Sequence, residues 1–246
     1  MTAPTSYEAK GKLRDMILED YKKTIDPVTS FDSTAISSLP ASLTRNVLEN
    51  LDHKEYLLTE KTDGTRFSLF FTKLNDQPCA CFINRSENVF LLSCDLDDSF
   101  FEKKSVLEGE LIVTIDNCTN LSMMKFFIFD AIIYNGQSLV KKDLLQRMHD
   151  ISDLINNIVI HNSIKLTLAR KSFFPLDEID TVLRHVARVK HSVDGIIFTP
   201  QSFSKPIFKW KPIETIDLLL SLSDGKVSLF YNDKSKLTNS PIQFIN

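Results

Sequence analysis

The chain has 246 residues, 29 Lys and Arg against 32 Asp and Glu, a net charge of −3 and 43% hydrophobic residues. That length suits one large domain, or a domain plus a fragment. The near-balanced charge argues against a general polyanion glue, so an RNA partner would need a local basic surface. No run reaches the ~20 apolar residues of a membrane helix, and the N-terminus has no apolar signal core. Cys79, Cys81, Cys94 and Cys118 follow neither zinc nor disulfide spacing. The expectation is a reduced, intracellular protein with no membrane partner.

Residues 8–23 put Leu13, Met16, Ile17 and Tyr21 at helical spacing. A Ser/Thr/Pro-rich loop is expected from Asp26 to about Ser42, then a short helix over 43–51. From Glu55 the texture becomes β, with strands predicted at 55–60, 66–73, 79–85, 88–93, 106–115 and 124–134. Helices are predicted over 143–159, with Asp143 as candidate N-cap, and over 176–190. Strands follow at 195–199 and 206–211, then a pair at 216–222 and 226–231 joined by Ser223-Asp224-Gly225. Eighteen Phe residues point to a Phe-rich core. The pattern is α+β, mostly antiparallel with few helices, and lacks repeats or low-complexity tracts.

Five segments carry residues suited to chemistry. Glu60-Lys61-Thr62-Asp63-Gly64-Thr65-Arg66 lies between two apolar strands. It reads either as an Asp-Gly hairpin tip or as a lysine nucleophile, whose amine attacks only when burial or nearby cations favour its neutral form. In Leu107-Glu108-Gly109-Glu110-Leu111 the carboxylates share one strand face, and the glycine permits close approach to the backbone. They hold a ribose hydroxyl or Mg2+, or form an exposed edge. Phe126-Phe127-Ile128-Phe129-Asp130 offers core rings and one ring able to stack on a base. Asp194, ahead of Gly195-Ile196-Ile197-Phe198, is a turn residue or a metal-side carboxylate. In Lys209-Trp210-Lys211-Pro212 the lysines point together and Trp210 into the opposite layer. They either bind a phosphate between them and favour neutral Lys61, or are solvated flanks of a core tryptophan.

In this order, Lys-x-Asp-Gly, Glu-Gly-Glu, Phe-Asp, Asp-Gly-Ile-Ile and Lys-x-Lys resemble the motif set of the covalent nucleotidyltransferases. That superfamily comprises DNA ligases, RNA ligases and mRNA capping guanylyltransferases. Glu-Lys-Thr-Asp-Gly-x-Arg-Phe and Lys-Trp-Lys-Pro resemble the capping branch, and residues 56–71, 83–92, 129–136 and 215–230 are similar to capping enzymes of large DNA viruses. The resemblance runs from about residue 40 to the C-terminus. It implies an ATP-grasp-like, DNA-ligase-like nucleotidyltransferase core of mostly antiparallel sheets with flanking helices. The implied organisation is an N-terminal helix and loop over 1–40, the transferase domain over 41–214 and the start of an incomplete OB-fold over 215–246.

By the same resemblance Lys61 is the nucleophile that carries GMP, and Thr62 contacts guanine. Arg66 and Arg85 hold the nucleotide sugar and adjacent groups, and Phe129 stacks on the base. Glu110 binds ribose or metal, Asp194 is the metal-side aspartate, and Lys209 and Lys211 grip the α-phosphate. The implied substrates are GTP, with Mg2+ or Mn2+, and a 5′-diphosphate RNA. Triphosphatase, methyltransferase or RNA polymerase partners belong to the same picture. The family's closing Arg-x-Asp-Lys motif is not found after Pro212, and residues 213–246 are too few for the five strands of an OB-fold. The expectation is a truncation, or a missing part supplied elsewhere. Two rival readings are an ATP-dependent RNA or DNA ligase on the same fold, and a degenerate transferase that docks RNA or polymerase.

Overall fold

The computed structural model describes residues 8–29, 39–115, 122–161, 165–212, 219–223, 226–233 and 236–239. In chain order the elements are β1 (Glu8–Ala9), α1 (Gly11–Thr29), β2 (Ala41–Ser42), α2 (Arg45–Glu49), β3 (Tyr56–Thr62), β4 (Thr65–Leu74), β5 (Gln77–Asn84) and β6 (Val89–Asp95). There follow α3 (Asp98–Glu102), β7 (Ser105–Ile115), β8 (Ser122–Tyr134), β9 (Gln137–Ser138), α4 (Leu144–Asp150), α5 (Ser152–Asn157), β10 (Val159–His161) and β11 (Lys165–Arg170). The remainder are β12 (Phe174–Pro175), a 3-10 turn (Leu176–Glu178), α6 (Ile179–Val186), β13 (Val193–Pro200), β14 (Phe208–Trp210), β15 (Leu219–Ser223), β16 (Lys226–Asp233) and β17 (Lys236–Asn239). The chain divides into two compact units, Met1–Trp210 and Lys211–Asn246.

In the first unit a nine-stranded sheet runs β1-β6-β5-β4-β7-β8-β11, with β10 added on β6 and β9 on β8. A five-stranded sheet runs β12-β3-β13-β14-β2. Pairing is antiparallel except for β11 on β8 and β14 on β2, so the α+β expectation holds. Strand alternation gives the large sheet two buried faces. Phe67, Leu69 and Phe71 of β4 join Leu144, Met148, Ile151 and Leu154 of the α4–α5 region in one core. Phe70 of the same strand turns to the other face, where Ile17, Leu18 and Val28 of α1 cover it. The smaller sheet sends Leu57 into the first core, and Tyr56, Leu58, Ile196 and Phe198 into a third core under Leu176 and Val182. Each fully buried apolar side chain contributes ~1.5–3 kcal/mol.

The predicted strands from 55 to 134 recur with shifts of one or two residues at their ends. The helices depart further. α1 starts at Gly11, where φ is +55°, and runs past Pro27 to Thr29. Val28 is buried there, whereas Leu13, expected on the apolar face, is 43% exposed. The helix expected over 143–159 is two, broken at Ile151 (φ −92°, ψ 6°), which is itself wholly buried. Asp143 takes the N-cap position but makes no side-chain cap bond. In α2 Thr44 does cap, accepting from the Val47 amide at 3.4 Å. α6 ends at Val186 rather than 190.

Trp210 faces away from the lysine side, as alternation requires, but it is 43% exposed and lies outside the third core. The expected deep burial is therefore corrected, and Trp210→Ala is expected to cost little stability. The described residues of the second unit form a three-stranded antiparallel sheet, β15-β16-β17, whose first pair covers 219–222 and 226–231 of the predicted strands, while 216–218 lie outside the described residues. Asp224 and Gly225 of the predicted turn, and Cys118, lie outside the described residues. Cys79, Cys81 and Cys94 are free thiols.

Candidate active site

The Asp63-Gly64 step is not a hairpin tip. β3 belongs to the smaller sheet and β4 to the larger one, so the chain crosses between sheets within Asp63-Gly64. Gly64 is required there by space. An added Cβ would stand 2.7 Å from the Leu111 carbonyl oxygen and 2.8 Å from Glu110 Cγ. The crossing thus nests against β7, and the Gly64 amide donates to Glu110 Oε1 at 3.3 Å. Gly109 is equally constrained, since a Cβ would meet the Phe126 ring at 2.3 Å.

Between the sheets lies a cavity of about 540 Å³. Lys61, Gly64, Arg66, Arg85, Glu108, Glu110, Phe129, Asp130, Lys171 and Lys209 all border it. Thr59, Ile197 and Lys209 are register neighbours across β3, β13 and β14, forming one row along its wall. Lys61 is two residues beyond Thr59 on the same face of β3, and its side chain is 22% exposed. Its Nζ donates to Asp194 Oδ1 at 2.7 Å. Asp194 sits where the β13–β3 register slips between Val193 and Ile196, an irregularity that re-aims a strand residue.

On the opposite wall, Arg66 donates from Nε and Nη2 to Glu108 Oε2 at 3.0 and 2.9 Å. Ser68 Oγ donates to Glu108 Oε1. Burial raises the Glu108 carboxyl above its ordinary value, with Arg66 and Ser68 opposing the shift. Burial, and then the neighbouring Arg66 charge, lowers Arg85. The Arg66 guanidinium stands 5.3 Å from the centroid of the Phe129 ring, a cation–π distance. Asp130 is held by Arg147 through two bonds, Nε to Oδ1 at 2.7 Å and Nη2 to Oδ2 at 2.9 Å. Phe129, Arg66 and Glu108 therefore stand on a fixed frame.

Lys61, Arg66, Arg85, Glu110, Phe129 and Lys209 are brought together as expected, with Asp194 joined through Lys61. Thr62 lies on the other face of β3, wholly buried, and its hydroxyl has no hydrogen-bond partner among the described residues. Lys211 begins the second unit. Sequence reading missed Lys171, the residue after β11. It is buried, donates to the Glu60 carbonyl at 3.1 Å and reaches Glu110 Oε2 at 3.4 Å. Burial lowers its ammonium below the usual lysine range, opposed by Glu110 and Glu60. Arg-Lys at 170–171 matched no motif in the reading, and only the β8–β11 pairing carries Lys171 to the cavity.

Among the described residues no three His, Cys, Asp or Glu side chains form a metal-binding group. Glu110 and Asp194 are engaged by Lys171 and Lys61. The site does not fit an all-protein cage. A hard cation bound here would lean on one carboxylate and take its other ligands from outside the protein, and Asp194 is the carboxylate placed beside Lys61.

The family described as "mRNA capping enzyme, catalytic domain" matches residues 13–213. The chain is 24% identical over 211 residues to a Saccharomyces cerevisiae protein named mRNA-capping enzyme subunit alpha, covering 72% of this chain and 45% of that protein. It is 27% identical over 193 residues to a Danio rerio mRNA-capping enzyme, covering 70% and 32%. The chain thus spans about half or less of the length of these relatives. Among solved structures, a mycobacterial DNA ligase D complexed with ATP and MES aligns with a TM-score of 0.47 at 16% identity, over 82% of this chain and 70% of that one.

Proposed function

The chain belongs to the mRNA capping enzyme catalytic-domain family, and from that premise we propose that it transfers GMP from GTP, through Lys61, to the 5′-diphosphate end of RNA. The observation that carries this reading is the position of Lys61. It is an amine on the cavity wall, 2.7 Å from a carboxylate and opposite two arginines and the Phe129 ring.

In the first step the Nζ lone pair attacks the α-phosphorus, a P–N bond forms, the α–β phosphoanhydride breaks and pyrophosphate leaves. Nζ must lose a proton, and Asp194 Oδ1 is the adjacent acceptor. In the second step a β-phosphate oxygen of the RNA attacks the same phosphorus, the P–N bond breaks and Nζ takes back a proton from Asp194, leaving a 5′–5′ triphosphate. Phe129 would stack on guanine while Arg66, Arg85 and Glu110 hold the sugar and adjacent groups. Lys209 would face the charge that develops on the α-phosphate, usually the dominant catalytic term. A divalent cation leaning on Asp194 would supply further neutralisation of phosphate charge. A diphosphate acceptor requires a triphosphatase acting before this enzyme, and the capped product is a substrate for methyl transfer.

The test is incubation with α-labelled GTP or ATP and Mg2+, followed by a denaturing gel. Acid-labile label from GTP, well above that from ATP, is expected from membership of the capping-enzyme family. Equal or stronger labelling by ATP would transfer the chain to the ligase branch. Lys209→Ala is expected to lower the guanylylation rate about 10²–10³-fold at saturating GTP, the usual loss for one preorganised charge contact, or ~3–4 kcal/mol. Near-normal single-turnover rates in that variant would remove Lys209 from the phosphate.

A further inference from the structure

Arg66 reaches the cavity from a chain of polar contacts that begins outside it, on α1. Tyr21 of α1 lies against Phe70, ring centroids 5.4 Å apart and edge-on, so its ring belongs to the core beneath the large sheet. Its hydroxyl passes through that core to Ser68 Oγ at 2.9 Å. Ser68 in turn bonds Glu108 Oε1, whose other oxygen receives both Arg66 contacts. With Glu108 ionised against Arg66, the one hydroxyl proton of Ser68 points to the carboxylate. Ser68 Oγ is then an acceptor, and Tyr21 must be the donor. The run is Tyr21 to Ser68 to Glu108, with Arg66 donating from the far side.

We propose that Tyr21 is a positioning residue for nucleotide binding, acting through Ser68 and Glu108 to fix the Arg66 guanidinium beside Phe129. This rests on the reading above that Arg66 holds the nucleotide. Three features make the relay effective. Glu108 is 3% exposed, so water cannot replace a lost partner cheaply. Successive hydrogen bonds in a buried chain polarise one another. Burial also raises the Tyr21 phenol far above its ordinary value, so it remains a donor at any working pH. Without the Tyr21 hydroxyl, Ser68 loses its donor and is free to turn, one oxygen of Glu108 loses its anchor, and the Arg66 fork loses its fixed plane over Phe129.

The helix makes a second polar contact with the same sheet, and it provides a control. Asp20 accepts from Thr72 Oγ1 at 2.6 Å and is paired with Lys104, without touching Glu108. The experiment uses the full chain and measures GTP affinity by calorimetry without metal, alongside thermal melting. Tyr21→Phe keeps the ring packing and removes one hydrogen bond. It should raise the GTP Kd about three- to tenfold. Ser68→Ala should do the same, and the double variant should be no weaker than the weaker single, because both cut one chain. Asp20→Asn should lower the melting temperature and leave the Kd unchanged. Unchanged Kd in the single variants, additive losses in the double, or an equal loss in Asp20→Asn would overturn the relay. GTP binding by the parent chain with no covalent label once Mg2+ is added would sink the transferase reading alone. No GTP binding at all would sink both.

Discussion

Lys61→Arg is expected to carry no covalent nucleotide while folding normally. The guanidinium keeps its proton at every working pH and has no lone pair to offer phosphorus. It can still reach Asp194, which stands 2.7 Å from the native Nζ, so the variant preserves the ion pair and isolates the chemistry. Labelling with α-labelled GTP should fall below detection, with an unchanged melting temperature. Acid-labile label retained at Lys61→Arg would assign the nucleophile to another residue. The buried lysine on the cavity, Lys171, would be the first to examine.

The largest loss of stability is expected at Arg147. This side chain is 1% exposed and satisfies two acceptors on Asp130, while Nη1 also donates to the carbonyl of Lys142 at 2.6 Å. Its guanidinium lies 5.0 Å from the centroid of Phe203, on the cavity wall. Arg147→Met fills similar space and leaves Asp130 without its cation. Breaking one side of a buried pair costs about 3–5 kcal/mol. The lower end applies because Asp130 retains 16% exposure and can regain some water. Melting should fall by roughly 6–12 °C, taking 2–4 °C per kcal/mol for a domain of this size. Adding Asp130→Asn should recover part of the loss, since the unpaired charge is then gone. If the double variant is no more stable than Arg147→Met, the pair is not the source of the effect. Phe129 precedes Asp130 in the chain, so GTP affinity should weaken with Arg147→Met even well below its melting range.

The strands were legible because period-two alternation and β-branched or aromatic composition act locally. β4 and β8 appear within two residues of their predicted limits. The helices were less so. An apolar residue at helical spacing is equally compatible with Leu13 outside and Val28 inside, and only the packing of α1 on Phe70 chose between them. The break at Ile151 has the same origin. Two short helices bury Leu144, Met148, Ile151 and Leu154 in one core, while the sequence repeat looks continuous.

For the site, the resemblance of the motif set pointed to Lys61, Arg66, Arg85, Glu110, Phe129 and Lys209, and the fold brings these six to one cavity. What no local pattern contains is which residue neutralises which. Lys61 with Asp194, Arg66 with Glu108, Asp130 with Arg147 and Lys171 with Glu110 are joined across 133, 42, 17 and 61 residues of chain. A buried charge must find its partner wherever the fold supplies one. The sequence by itself therefore determined the alternation of the strands and the inventory of reactive groups. The tertiary structure alone decided that Asp63-Gly64 joins two sheets instead of turning a hairpin, that Thr62 faces away from Lys61, and that Tyr21 reaches the network around Arg66. Sheet pairing and the burial of charge are long-range choices, made only when distant segments compete for the same interior.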